Sequence, residues 1–130
     1  MKASKLMLGD WVMMNSGPAR VFKLSEDEII FYDKFGSGIS CGCDGIPLTT
    51  EMLEKNGFEH KRYEDAEYYC ITTDFYDITI EELSDSIWLA RYDCTEIDMP
   101  FEQVACSYVH QLQHFLRLVA MDELADNFKV

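Results

Sequence analysis

The sequence predicts an α+β chain: an SH3-like, strongly bent β-unit over residues 1–48, a short connecting helix, then an antiparallel sheet packed by one C-terminal helix within residues 49–130. Three observations predict it. Short apolar runs broken by Gly, Pro and Ser fill the first 45 residues. Residues 75–83 alternate apolar and polar with the period of a half-buried strand. Residues 107–120 carry a broad apolar stripe at helical spacing.

The elements follow in order. LMLGDWVMM (6–14) reads as a strand entered through a Gly-Asp turn, and Ser16-Gly17-Pro18 turns the chain. Residues 19–24 and 29–32 are two more short strands, joined by the polar turn Ser25-Glu26-Asp27-Glu28. Residues 34–45 hold Gly36, Gly38, Gly42 and Gly45, so that stretch is a glycine-bent strand or a loop. Three strands with tight turns suggest a small bent barrel. PLTTEMLEKNGF (47–58) is a helix over 49–56: Thr49 caps it, Glu51 sits near the positive end of its dipole, Gly57 suits the left-handed stop, and Phe58 folds back on Leu53 or Met52.

Residues 59–67 are polar and charged. Residues 68–73 form a strand. In the next, 75–83, Tyr76, Ile78 and Ile80 face one way and Asp77, Thr79 and Glu81 the other. Ser84-Asp85-Ser86 turns the chain into a hairpin partner at 87–92. Residues 96–99 suggest a further short strand, and 101–106 is either a strand or the start of a helix. Along the helix 107–120, Tyr108, Val109, Leu112, Phe115, Leu116 and Val119 share one face. His110, Gln113, His114 and Arg117 lie on the other, which places both histidines in water. The last ten residues hold a polar turn and a terminal strand, NFKV.

Composition bounds the function. One chain of 130 residues, 48% hydrophobic, has enough apolar surface for a core. It has no apolar run long enough to span a membrane, and its N-terminus is unlike a signal peptide, so a cytoplasmic setting is expected. The five cysteines are irregularly spaced and read as reduced thiols. Cys41-Gly42-Cys43 has no second pair with which to complete a four-thiolate zinc site. Net charge is −13: residues 1–50 carry 6 acids and 5 bases, whereas residues 51–130 carry 18 and 6. Direct binding of nucleic acid is not expected of the second half, because that binding requires Lys and Arg to neutralise phosphates.

His110-Gln111-Leu112-Gln113-His114 has the spacing of a two-histidine metal grip on one helix face. Gln111 stands where a metalloprotease carries its glutamate, and an amide cannot take a proton from metal-bound water. The carboxylates match no calcium loop, the glycines form no phosphate cradle, and no serine sits in a nucleophile elbow. No catalytic, cofactor-binding or metal-ligating residue is assigned, and no cofactor is expected.

The runs LMLGDWV, PLTTEMLEKNGF and YVHQLQHFLRL, with MDELADNFKV at the end, resemble a family of small uncharacterised proteins of gut anaerobic bacteria and their phages and mobile elements. The resemblance nearly spans the chain. It implies a bacterial or phage cytoplasmic setting and no particular chemistry. Its members often carry Glu at the Gln111 position and a residue other than His at the His114 position, which weighs against a paired-histidine metal site.

Three readings follow. The preferred one is a non-enzymatic protein-interaction module, with self-association open, whose N-terminal sheet edge near Trp11 and Phe22 accepts a peptide or another subunit. The second is an acidic decoy that blocks a DNA-binding enzyme, which requires the carboxylates of residues 64–98 to form one continuous face. The third is a metal-dependent enzyme using His110 and His114 with nearby acids.

Overall fold

The computed structural model describes residues 3–40, 42–73, 76–94 and 100–130. Two antiparallel meanders organise the chain. The first runs β1 (Trp11–Met14), β2 (Gly17–Leu24), β3 (Ile29–Asp33) and β4 (Gly36–Ser40), in spatial order β1-β2-β3-β4. The second runs β5 (Glu59–Tyr63), β6 (Ala66–Thr72), β7 (Tyr76–Ser84), β8 (Ile87–Cys94) and β9 (Pro100–Cys106), again in sequence order. Between them lies α1 (Thr50–Lys55), and after them α2 (Val109–Leu118) and α3 (Asp122–Asp126). No described helix is long and apolar enough to cross a membrane.

The first sheet corrects the barrel expectation: among the described residues it does not close. A β-bulge between Val21 and Lys23 bends β2. The chain after β4 returns to β1 only at Met13, which exchanges backbone hydrogen bonds with Asp44 (2.8 and 3.1 Å). Of the glycine-rich stretch 34–45, Gly36–Ser40 forms β4, and residues 42–45 are irregular apart from the bridge at Asp44. Val12, Met14, Ala19, Val21 and Ile29 build a small core on the sheet's inner face, joined by Ala3 and Leu6.

The connecting helix is stopped as its sequence predicts. Thr49 Oγ1 accepts the Met52 N–H, Gly57 takes φ +90°, and the Gly57 and Phe58 amides donate to the Glu54 and Leu53 carbonyls (3.1 and 3.0 Å). Phe58 and Leu53 then enter the main core together. That core lies between the second sheet and α2, where Ile78, Ile80, Trp88 and Ala90 meet Val109, Leu112, Phe115 and Leu116.

One further expectation is corrected and two segments left without an assignment are resolved. The charged segment after the helix is an edge strand, β5, paired along its length with β6 and exposed at all five residues. Its pattern concealed it because neither face is apolar. The terminal NFKV is not a strand. The left-handed Ala120 (φ +62°) reverses the chain at the end of α2, α3 follows, and Phe128 is buried in the main core. The ambiguous 101–106 segment is β9, which pairs with β8 from Trp88 to Asp93. The strand suggested at 96–99 lies outside the described residues.

Candidate functional site

The largest correction concerns the polar face of α2. His110 is 5% exposed and Gln113 is fully buried. The helix is covered on both sides: its apolar stripe lies on the second sheet, and its polar stripe meets the segment that leads into β1. Polarity on a helix face says that hydrogen-bond partners are needed, and water is only one source of them.

Asp10, fully buried in the turn before β1, is the centre of this junction. Its Oδ1 accepts from Arg117 Nη1 at 2.8 Å. Its Oδ2 lies 2.7 Å from His114 Nε2 and also accepts the Met7 N–H at 2.8 Å. A carboxylate only accepts, so the proton of this contact belongs to His114 Nε2. Gln113 completes the seam. Its Oε1 accepts the Trp11 N–H at 2.8 Å, and its Nε2 donates to the carbonyls of Gly9 and Ala125, both at 3.0 Å. Arg20 also donates to the Gly9 carbonyl, from Nη2 at 3.0 Å, and lies over the Trp11 ring. The Trp11 indole N–H donates to the Phe128 carbonyl at 2.6 Å. Three parts of the chain that are distant in sequence are therefore tied by one helix face.

This geometry weighs against a metal grip. The two imidazoles are neighbours, 5.7 Å between ring centroids, but no group of three suitable ligands occurs among the described residues. Both oxygens of Asp10 are engaged, and the Arg117 guanidinium beside it repels a cation. Gln111 is occupied in holding the fold. Its side-chain oxygen accepts the Ser107 and Tyr108 N–H groups (2.7 and 3.1 Å) and caps the start of α2.

His110 is the buried member whose hydrogen bonding is incomplete. It stacks on Tyr108, and its Nδ1 has no hydrogen-bond partner. Burial holds its pKa below the usual 6.5; the Asp10 charge opposes this shift and His114 adds to it. The unfolded chain thus takes up this proton first. The penalty is absent well above pH 6.5 and grows as pH falls below that value, toward the lower folded pKa. We predict that His110→Phe gains stability relative to the parent on acidification from pH 7 to 5, by at most about 1.4 kcal/mol per pH unit. Urea unfolding at both pH values checks this. A constant difference between the two proteins would contradict it.

Cys70 and Cys106 are buried, and burial pushes the Cys106 thiol up to about 12. Such a thiol is a poor nucleophile at neutral pH.

A second feature lies on the surface. The β5–β6 and β7–β8 turns sit at the same end of the second sheet and, with the start of α1, enclose a concavity of about 760 Å³. Glu64, Asp65, Glu67, Glu81, Glu82 and Asp85 line it, and no described lysine or arginine does. Tyr69 and Trp88 pack edge to face on its wall, and the exposed Tyr63 stands at its rim. Sequence reasoning noted these acids but not their convergence, which depends on the register of two hairpins. Asp77 and Asp93 lie opposite each other toward the other end of the sheet. Asp74, Glu96 and Asp98 lie outside the described residues.

The sheet edge expected near Trp11 and Phe22 is also revised. Trp11 packs on the main core, and its strand's outer edge is bridged by Asp44. Phe22 is exposed against Tyr32, with 4.9 Å between ring centroids, on the outer face of the first sheet. The open edge of that sheet is β4.

Comparisons with family models, with curated proteins and with solved structures give no match to this chain.

Proposed function

We propose that the chain is a protein-interaction module whose acidic concavity takes a lysine- or arginine-rich segment of a partner protein. The observation that carries this reading is the convergence of six carboxylates in one recess beside the exposed Tyr63. Carboxylates attract cationic side chains, bidentately in the case of arginine, and the exposed Tyr63 ring adds cation–π attraction. The net charge of −12 over residues 51–130 steers such a partner toward this half. The decoy reading is weaker, because Asp77 and Asp93 fall away from the recess. A bacterial or phage cytoplasmic setting belongs to this proposal, on the family resemblance of the sequence.

The test is titration with an arginine- and lysine-rich peptide, followed by calorimetry at two salt concentrations. The charge reversal Glu81→Lys/Glu82→Lys is expected to weaken binding about tenfold or more, or roughly 1.4 kcal/mol. Glu26→Lys/Asp27→Lys makes the same change in net charge in the β2–β3 turn, outside the lining of the recess, and should weaken it much less. Equal losses in the two variants would assign the attraction to overall charge and remove the proposal.

A further inference from the structure

We propose that β4 is a self-association edge, at which two copies of the chain pair antiparallel across a two-fold axis and join their first sheets into one of eight strands. This inference is independent of the acidic recess.

The two meanders treat their outer strands differently. β5 presents Glu59, His60, Lys61 and Arg62 to solvent, and charged side chains of this kind block edge-to-edge pairing. β4, Gly-Ser-Gly-Ile-Ser, has neither a charge nor a proline, and it exposes Ile39. Its outer side has no strand partner among the described residues. Gly38 keeps the strand flat against the sheet: a Cβ there would meet the Phe31 ring at 2.6 Å. An unguarded edge of this kind offers backbone donors and acceptors to an extended chain.

Register and charge select a second copy as that chain. Antiparallel pairing about Gly38 sets Ser37 of each copy opposite Ile39 of the other. Because Asp33 pairs with Gly36 and Ile29 with Ser40, the Lys34-Phe35 turn lies beyond one end of β4 and Glu28 beyond the other. The two-fold axis therefore brings Lys34 of each copy toward Glu28 of the other, and the contact occurs twice. The half of the chain that meets itself carries a net charge of only −1, so its self-repulsion is small. Two five-residue strands bury far less than the ~1,600 Å² of a standard interface, so the dimer is expected to be reversible and concentration-dependent.

Sedimentation equilibrium of the full chain from ~10 μM to ~1 mM spans the range of weak association and tests the proposal. The expected mass rises from 15.1 kDa toward twice that value. Ile39→Lys should weaken association at least tenfold while leaving the circular dichroism melt in place. Lys34→Glu should do the same, and Lys34→Glu/Glu28→Lys should restore association, which a general loss of folding would not do. A mass of 15.1 kDa at every concentration, or association unmoved by Ile39→Lys, or a charge swap that fails to restore it, would overturn the proposal.

Discussion

Asp10→Ala is expected to lower the unfolding free energy by about 3–5 kcal/mol, the usual cost of removing one partner from a buried charge cluster. The carboxylate is fully buried and holds a guanidinium, an imidazole and a backbone amide at once. Its loss leaves Arg117, whose side chain is 13% exposed, with the longer 3.6 Å pairing to Asp126. His114 is 30% exposed and can recover some hydration, which places the effect nearer the lower figure. Asp10→Asn keeps the size and one acceptor but removes the charge, so it should fall between Asp10→Ala and the parent. Urea unfolding of the three proteins checks this order. An Asp10→Ala protein within about 1 kcal/mol of the parent would mean that the junction contributes little.

Gln113→Leu is expected to cost about 2–3 kcal/mol although it adds apolar volume to a buried position. Not all of its partners suffer equally. The Gly9 carbonyl keeps Arg20, and the Ala125 carbonyl keeps a long bond of 3.4 Å from the Phe128 amide. The Trp11 N–H is the partly buried group left without this acceptor. Gln113→Glu should cost more than Gln113→Leu, since a carboxylate oxygen would then face the two carbonyls to which Nε2 donates. If Gln113→Leu proved more stable than the parent, the side chain would be filling space and nothing else.

How much of this was legible in the sequence differs from element to element. The connecting helix was readable because its start and stop depend on neighbours in sequence: Thr49, Gly57 and Phe58 act within a turn or two of each other. The 76–84 hairpin strand was readable because Ile78 and Ile80 are buried while Asp77, Thr79 and Glu81 on the alternate face are only half-buried. The polar face of α2 misleads because its partners lie more than 100 residues away in sequence or beyond a chain reversal. One signal was present. The helix 107–120 contains no acidic residue in a chain that has 24 of them, so its arginine and two histidines had no partner within their own helix. The terminal segment misleads because Phe128 has strand propensity but no strand to join; the left-handed turn at Ala120 carries it into the core instead. The acidic recess was invisible for a further reason: its walls come from two turns that only strand pairing brings side by side.

Helix α2 acts as a latch between the two sheets: its apolar stripe packs on the second, and Gln113, His114 and Arg117 bond the segment leading into β1. The protein holds one tryptophan in each sheet, Trp11 in β1 and Trp88 in β8. Incorporation of fluorotryptophan gives each its own ¹⁹F resonance, and a urea titration then follows the two halves separately in one sample. The latch predicts coincident transitions for Trp11 and Trp88 in the parent protein, with the Trp11 transition moving to lower urea in Asp10→Ala. A parent protein in which Trp11 is released well before Trp88 would contradict it.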